Sequence, residues 1–513
     1  MKNKWTKLLL LIGIGVSLFS CTPKQKDKTP DQDAGQNQRT SGTTQVSFTA
    51  INDFHGKVDD RGNQVGIAKL AKYLKEKKQN GNILINSGDM YQGSFVANYT
   101  KGSVVSDIFK DIGFDAYTVG NHEFDWGIEY IESNEQVLGE KMLGANVMKY
   151  PKTGSNWEKH PLFDDYKIVN LNKGTEDEIR VGIIGVIGKA QITSITSTFT
   201  KDLVFIDPTD VVINLAKELK TEKGCQIVVA SYHAPEADER IVESKLSFDR
   251  RYVDAVFLAH DHQEVLYNVN GAPFIEGSSY GRMASNVTLE YNWASKKVTC
   301  LKSFNTRLVD QDLTYDPVAL EKLNKVTQGE NGTDRIAAQY VGFNDTKKTI
   351  STDEMSNFYE KVTALKAVEL GYDFDYVMFN SSRESLVPGS FTYSQLFETH
   401  PFLNKLYIIE CTGKDVEYES KYCYPYKVST ETFNSGNTYK VLVFDFNGFH
   451  IGINDNYEKY YNYFPSAFRA NSAKPILIEE DNKALNCFEI ALDWLKENQI
   501  TTADIGQGSD FGL

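Results

Sequence analysis

The residues best suited to chemistry lie in five short stretches, each just after an apolar run that predicts a β-strand. These stretches cover residues 52–56, 88–93, 121–125, 233 and 259–262. They contain five of the chain's eight histidines, together with several carboxylate and amide side chains. In strand-like backbone, Asp53 and His55 would share one face, as would His260 and His262. Imidazole and carboxylate groups bind divalent cations, so we predict a metal site where the carboxyl ends of these strands meet.

One loop places an amide, an imidazole and a carboxylate together, at Asn121, His122 and Asp125. The neutral amide of Asn121 suits a divalent cation that already holds anionic ligands. His122 can then reach a metal-bound substrate without binding the metal, while Asp125 orients its ring and favours its charged form. A surface turn would use the same residue types, so this loop alone does not indicate a metal site. The other four stretches provide the supporting evidence.

The elements that carry these stretches alternate between strand and helix from Gln45 onward. Strands are predicted at residues 46–51, 81–86, 116–119, 180–187, 227–231 and 253–259, and a helix at residues 66–78. A hairpin-like pattern at residues 287–304 closes this part of the chain. The alternation is typical of an α/β fold, in which ligands bind beyond the carboxyl ends of the strands.

The chain has 513 residues, more than one hydrophobic core usually organises, so two domains are expected. We predict a first domain at residues 46–305, a charged linker at 306–348 and a second domain at 349–513. Within the linker, residues 317–328 have a helical pattern. The second domain begins with a helix at 353–370 and continues with strands at 375–379, 405–412 and 439–446.

The N-terminus has the pattern of a bacterial secretory signal. Three lysines precede an apolar run at residues 8–19, which is too short to span a bilayer of about 30 Å as a helix. The residues before Cys21 resemble a lipobox, which predicts a signal peptide at 1–21 and lipidation of Cys21; the alternative is an ordinary signal with a chance cysteine. Residues 22–45 are almost wholly polar and predict a disordered tether. The protein is therefore expected outside the cytoplasm, lipid-anchored in the cell envelope.

The formal net charge of −14 restricts the partners. It argues against a nucleic-acid polymer and against electrostatic docking on anionic lipid, which leaves the lipid anchor as the only predicted membrane contact. It does not exclude small phosphorylated substrates, because bound metal ions invert the field locally.

Six motifs resemble those of the 5'-nucleotidase and UDP-sugar hydrolase branch of the calcineurin-like metallophosphatases. They are NDFHG, SGDMYQGS, GNHEFDWG, SYHAPEAD, AHDHQ and FIEGSSYGRM. The resemblance implies a four-layer αββα sandwich around two divalent metals, with Zn, Mn, Fe, Co or Mg as candidates. It implies that one metal binds Asp53, His55, Asp89 and His262. It implies that the other binds Asp89, Asn121, His233 and His260, with Asp89 as the bridge.

The physical chemistry agrees with these implied roles. Two cations about 3.5–4 Å apart can clamp a phosphoryl group and lower the pKa of a bridging water. A cationic His122, oriented by Asp125, can stabilise the charge that develops in the transition state. His122 and Asp125 are therefore the predicted catalytic residues.

The second domain resembles, less closely, the α+β substrate-specificity domain of the same family. The resemblance implies that Arg383 binds phosphate, that Phe402 and Phe446 sandwich a nucleobase, and that Asn404 contacts the base. From the residues alone, both phenylalanines could equally be core residues in strands. No arginine occurs between Ile336 and Ser382, and the family's ribose-side loop is absent after Phe446, where Asp455 is a candidate replacement.

These observations predict an extracytoplasmic two-metal phosphohydrolase, with a 5'-nucleotidase acting on nucleoside monophosphates as the first choice. A nucleotide-sugar, cyclic-nucleotide or other phosphodiesterase using the same metals is an alternative. A surface-binding lipoprotein without turnover is the alternative from another class, and a nuclease is disfavoured by the acidic charge. The sequence alone leaves the metal identity and the oligomeric state open.

Overall fold

The computed structural model describes residues 39–150, 158–234, 252–328, 331–423, 425–454 and 456–506. The signal peptide with Cys21, most of the predicted tether, and Asp455 lie outside the described residues. None of the helices in these ranges is long and apolar enough to cross a membrane.

Two facing β-sheets form the centre of the first domain. Its strands are β1 (Thr43–Ile51), β2 (Ile83–Asn86), β3 (Ala116–Tyr117), β4 (Val147–Lys149), β5 (Glu158–Lys159), β6 (Tyr166–Leu171), β7 (Ile179–Ile187), β8 (Leu203–Phe205), β9 (Ile227–His233), β10 (Ala255–Leu258), β11 (Glu264–Val269), β12 (Ala272–Gly277), β13 (Met283–Asn292) and β14 (Lys297–Arg307). One sheet has the order β14-β13-β1-β2-β3 and the other the order β11-β12-β10-β9-β7-β6. The strands β4, β5 and β8 form a small third sheet.

Helices cover the outer faces of both sheets. Against the first sheet pack the helices Ile67–Gln79, Ser103–Ile112 and Ile128–Leu138, and against the second packs Pro208–Thr221. Apolar side chains such as Phe48 and Phe257 fill the space between the sheets, with ring centroids 5.9 Å apart. The predicted four-layer αββα sandwich is therefore confirmed. Because β1, β2 and β3 run parallel, as do β7, β9, β10 and β12, their carboxyl ends meet at one edge of the sandwich.

The first strand begins earlier than the sequence predicted. Residues 43–45, assigned above to the tether, continue β1 and pair with residues 290–292 of β13. Strand pairing uses backbone groups, so polar side chains such as Thr43 and Gln45 can extend a strand while remaining largely exposed to water.

The second domain is an α+β unit around a five-stranded sheet of order β19-β16-β20-β18-β23. Its strands are β15 (Tyr340–Asn344), β16 (Tyr376–Met378), β17 (Gly389–Thr392), β18 (Leu406–Thr412), β19 (Tyr426–Lys427), β20 (Thr438–Phe444), β21 (Ile451–Ile453), β22 (Lys459–Tyr461), β23 (Ile476–Leu477), β24 (Glu479–Glu480) and β25 (Lys483–Ala484). Its helices are Thr352–Glu369, Tyr393–Thr399, Gly413–Glu419, Asp445–Gly448 and Cys487–Leu495. The long helix Thr352–Glu369 begins with a capping box formed by Ser351 and Glu354.

The connection between the domains is shorter than the predicted linker. Leu308, Ala319 and Leu323 join the core of the first domain, the last two from the helix Pro317–Thr327. At the other end, β15 pairs with β17 and so belongs to the second domain. The charged composition of this segment predicted a linker, but the charged residues lie on the exposed face of the helix. Residues on its buried face pack against the first domain.

Candidate metal centre and substrate cavity

The predicted metal ligands lie in tight turns at the shared carboxyl edge of the two sheets. Five of the seven have left-handed backbone, with φ between 48° and 96°. They are Asp53, His55, Asp89, His260 and His262. Strand alternation therefore does not explain why their side chains converge, contrary to the sequence argument. The turns do so instead, in a conformation that is unfavourable for residues other than glycine.

The first predicted ligand group is assembled around the buried carboxylate of Asp53. The Nε2 atom of His262 lies 3.5 Å from Asp53 Oδ1 and 3.0 Å from His55 Nε2, and the latter lies 3.8 Å from Asp89 Oδ2. Within the described residues, Asp53 Oδ1 has no hydrogen-bond partner although it is buried. A buried carboxylate oxygen without a donor, facing two imidazole nitrogens, fits a cation site.

The second predicted group shares the Asp89 carboxylate with the first. Its oxygen Oδ2 lies 3.3 Å from His233 Nε2 and is the same atom that faces His55. The Asn121 Oδ1 atom lies 3.3 Å from His233 Nε2 and 3.0 Å from His260 Nδ1. The structure thus brings all seven predicted ligands together, with Asp89 between the two groups.

Two of the histidine rings, those of His55 and His233, are held so that Nε2 faces the centre. The Nδ1–H group of His55 donates to the carbonyl oxygen of Gln92 at 2.9 Å, and that of His233 donates to Ser87 O at 2.8 Å. In the neutral form of each ring, Nε2 therefore presents its lone pair to the centre, as metal-binding histidines require. On the carboxylate side, Asn52 Nδ2 donates to Asp53 Oδ2 at 2.7 Å.

Burial and charge set the protonation of these rings in the metal-free chain. Burial lowers the pKa of His55 well below its ordinary value and lowers the pKa of His260 to about 4. Burial also acts to lower the pKa of His233, but the adjacent Asp89 carboxylate outweighs it and raises that pKa to about 10. A bound cation would replace the proton of His233, because a metal ligand must be deprotonated.

Glu123 is a buried carboxylate that the sequence analysis did not single out. Its Oε2 atom accepts the backbone N–H groups of Asp89 at 2.8 Å and Gly120 at 2.6 Å, and its Oε1 atom accepts that of Met90 at 2.7 Å. Burial, then the nearby Asp89 charge, raises the pKa of Glu123 to about 7. Glu123 therefore ties together the two loops that carry Asp89 and Asn121. In the sequence, the signal for Glu123 was its position directly after His122, in a loop predicted to supply the metal site.

His122 stands beside the metal ligands and meets the second domain. Its Nδ1 atom lies 2.6 Å from Asp125 Oδ2, and its Nε2 atom lies 2.9 Å from Arg383 Nη2. Burial acts to lower the pKa of His122, but the carboxylates of Asp125 and Asp89 raise it overall. Because arginine can only donate, Nε2 accepts in this contact and Nδ1–H donates to Asp125.

The predicted substrate-binding side chains line a cavity of about 570 Å³ together with four of the seven predicted metal ligands: Asp89, Asn121, His260 and His262. From the second domain they are Arg383, Phe402, Asn404 and Phe446. The Arg383 guanidinium lies 5.1 Å from the centroid of the Phe402 ring. Both phenylalanines are only half-buried; Phe402 lies in a turn, and Phe446 lies in the helix Asp445–Gly448 rather than in the predicted strand. The cavity also contains Thr193, Ser194, Thr196, Tyr422 and Tyr463, which the sequence analysis missed.

The segment after Phe446, where the resemblance implied a ribose-side loop, contains the hairpin β21–β22, which docks on the first domain. Lys459 Nζ donates to Thr200 O at 2.7 Å, and Asp207 N donates to the Tyr457 hydroxyl at 3.1 Å. The preceding His450 donates from Nε2 to Thr193 O. These contacts join the two domains beside Thr193, which lines the cavity.

Comparisons with known proteins agree with this geometry. Residues 46–264 match the family model described as calcineurin-like phosphoesterase. Endonuclease YhcR of Bacillus subtilis is 26% identical over 400 residues, which are 72% of this chain and 32% of YhcR. Cell wall protein Lmo0130 of Listeria monocytogenes is 23% identical over 524 residues, 86% of this chain and 64% of Lmo0130. The chain therefore spans less than two thirds of either relative.

Among solved structures, the fold is similar to that of a 5'-nucleotidase precursor from Thermus thermophilus, with a TM-score of 0.70 and 17% identity. The similarity covers 88% of this chain and 96% of the other, so it includes both domains.

Proposed function

We propose that the chain is a 5'-nucleotidase. The premise is the calcineurin-like phosphoesterase domain at residues 46–264, because such domains are typical of metal-dependent phosphoester hydrolases. It would release inorganic phosphate from nucleoside monophosphates outside the cytoplasm. The observation that carries this proposal is a cavity lined by four of the seven clustered ligand side chains, an arginine and two half-buried phenylalanines.

The donor set fits two divalent cations. Asp53, His55, Asp89 and His262 would hold one, and Asp89, Asn121, His233 and His260 the other. Oxygen and imidazole ligands together admit Zn, Mn, Fe, Co or Mg. When bound, such a pair polarises a phosphoryl group and activates a water molecule for attack.

His122 and Arg383 would act on the phosphoryl group from the opposite side. Arg383 donates to His122 Nε2 in the free protein, and a phosphate group offers a stronger, charged acceptor for the same guanidinium. Once Arg383 turns to phosphate, His122 Nε2 is released and can take a proton, a change that the Asp125 carboxylate favours. The charged ring then stabilises negative charge on the phosphoryl oxygens.

Phe402 and Phe446 favour a nucleotide over other phosphoesters. Stacking of a base on aromatic side chains contributes about 1–3 kcal/mol per base and tolerates any base. Because both rings lie at the cavity surface rather than in a core, they are available for such stacking. The 5'-nucleotidase precursor with the same two-domain fold supports the same substrate class.

A substrate panel tests the proposal. The full chain, loaded with Mn²⁺, is given AMP, a cyclic nucleotide, UDP-glucose and bis-p-nitrophenyl phosphate, and released phosphate or nitrophenol is measured. We expect AMP to be the best substrate. Preference for a cyclic nucleotide, for UDP-glucose or for the bis-ester would instead establish a phosphodiesterase or nucleotide-sugar hydrolase. No turnover of any compound by metal-loaded protein would identify a binding lipoprotein. A polymeric nucleic-acid substrate is disfavoured by the net charge of −14, although YhcR is an endonuclease.

We also propose that the protein is anchored to the cell envelope through Cys21. The signal-like N-terminus and the similarity to a Listeria cell wall protein support an extracytoplasmic location. Metabolic labelling with a radioactive fatty acid tests the anchor: the native chain should take up label and a Cys21→Ala variant should not.

A further inference from the structure

Asn404 is fixed by a carboxylate that lies just behind the cavity wall. Its Nδ2 group lies 2.8 Å from Asp445 Oδ1, and the same Oδ1 atom accepts the backbone N–H group of Phe446 at 2.9 Å. A backbone N–H group can only donate, so Asp445 Oδ1 is an acceptor whatever the protonation of its partner oxygen. The atom of the Asn404 amide that faces it must therefore be the NH₂ nitrogen.

This contact decides which end of the amide reaches a ligand. Because Asn404 lines the cavity and its NH₂ group is directed to Asp445, the carbonyl oxygen is the end that faces away from Asp445. Asp445 itself is held by its backbone N–H group, which donates to Lys405 O at 2.8 Å, and it opens the helix Asp445–Gly448 that carries Phe446. The Asp445 carboxylate thus orients the side-chain amide of Asn404 and also binds the backbone N–H group of Phe446, a predicted base-stacking residue.

We propose that Asp445 is a positioning residue that makes Asn404 select nucleobases with an amine at the position of the adenine C6 or cytosine C4 substituent. Adenine and cytosine present an amino group that can donate to Asn404 Oδ1. Hypoxanthine and uracil present a carbonyl oxygen at the same place, so two acceptors would face each other and neither would be satisfied. This inference rests on the proposed function and adds the class of base to it.

Two matched substrate pairs test the inference, because AMP and IMP, and likewise CMP and UMP, differ at the exocyclic amine. The full metal-loaded chain is assayed for kcat/KM on all four nucleotides, each divided by the value for p-nitrophenyl phosphate in the same preparation. A hydrogen bond made only by the amino bases should give a preference of about fivefold or more for AMP over IMP and for CMP over UMP. The difference should lie mainly in KM, since the base is remote from the reacting phosphorus.

Variants of Asp445 separate positioning from general structure. Asp445→Ala removes the acceptor, so the Asn404 amide can rotate. Both kcat/KM ratios, AMP over IMP and CMP over UMP, should then fall towards one. Asp445→Asn retains an oxygen that can accept from Phe446 N–H and from Asn404, so it should keep the preferences. As a second variant that leaves Asp445 in place, Asn404→Ala should also abolish them. Thermal unfolding of each variant identifies any that is misfolded.

The outcomes are distinct. Equal kcat/KM for AMP and IMP in the native chain, or a preference for IMP, would overturn the inference while leaving nucleotide hydrolysis intact. Full retention of the AMP preference in folded Asp445→Ala would also overturn it. Hydrolysis of p-nitrophenyl phosphate without hydrolysis of any nucleotide would overturn the proposed function, and the inference with it.

Discussion

Replacing Glu123 should weaken metal binding although Glu123 is not one of the predicted ligands. In Glu123→Ala, three backbone N–H groups, those of Asp89, Met90 and Gly120, lose their acceptor. A buried unsatisfied group costs about 1–3 kcal/mol, so the free energy of unfolding of the metal-free chain should fall by about 3 kcal/mol or more. In Glu123→Gln the amide oxygen can replace Oε2, but the NH₂ group then faces Met90 N–H, so these two donors remain unsatisfied.

The same change should weaken metal binding. Asp89 supplies the oxygen that faces both His55 and His233, and Glu123 fixes the backbone of Asp89 in its left-handed conformation. Loss of such outer hydrogen bonds typically costs about 10- to 100-fold in metal affinity. We expect that loss in Glu123→Ala and a smaller one in Glu123→Gln.

Glu135 provides a matched control elsewhere in the same domain. It is also buried, burial raises its pKa to about 7, and its Oε1 atom accepts the single backbone N–H group of Met142 at 2.6 Å. Glu135→Ala should therefore lose stability without losing metal affinity. Metal retained during titration with a chelator is measured by elemental analysis, and stability by urea unfolding of the metal-free proteins. If Glu123→Ala held its metals as tightly as Glu135→Ala, the reasoning about the loop would be refuted.

Three further predictions concern other parts of the site and the fold. His122→Ala should retain both metals but lose about 10²–10⁴-fold in kcat, because only the transition state uses the ring; unchanged turnover would remove His122 from the mechanism. Asp89→Ala should lose both metals and activity in elemental analysis and assay, and a variant that still bound two ions would contradict the bridging role. Burial, then the charge of Arg383, lowers the pKa of His400 to about 3, below its value of about 6.5 in the unfolded chain. The resulting stability is present above pH 6.5 and is lost as pH falls towards 3, by up to about 1.4 kcal/mol per pH unit. Urea midpoints measured from pH 7 to pH 4 should fall less steeply in His400→Gln, and an identical slope would show that folding does not lower the pKa of His400.

The sequence located the seven side chains that cluster in the structure because their identity and their position at the ends of apolar strands are both local properties. Asp53 and Asp89 each follow a buried strand and His233 ends one, and that pattern can be read without knowing which strands are neighbours. The sheet order then brings these strand ends to one edge, as parallel strands require. Arg383 and Phe402 were predicted only through family resemblance, since nothing local links them to a centre more than a hundred residues away.

Glu123 and Asp445 could not be predicted in the same way. Both act by accepting backbone N–H groups, and every residue except proline supplies such a group, so their partners leave no trace in the sequence. The packing of Pro317–Thr327 on the first domain was missed for a related reason. An amphipathic helix shows that it has a buried face, but its sequence does not identify the domain that covers that face.

The left-handed turns that carry the predicted ligands must be stabilised by other residues. Such backbone costs about 1–3 kcal/mol at each residue other than glycine, and five ligand residues adopt it. The surrounding chain must therefore hold these turns in place. Glycine allows the two loops to approach, since a Cβ atom at Gly120 would lie 2.1 Å from Asp89 Oδ1 and one at Gly88 would lie 2.6 Å from His233 Nδ1. Glu123 supplies the hydrogen bonds between the same loops. Alanine at either glycine should therefore weaken metal binding as much as the loss of a ligand does. The added methyl group would push Gly120 away from Asp89, or Gly88 away from His233.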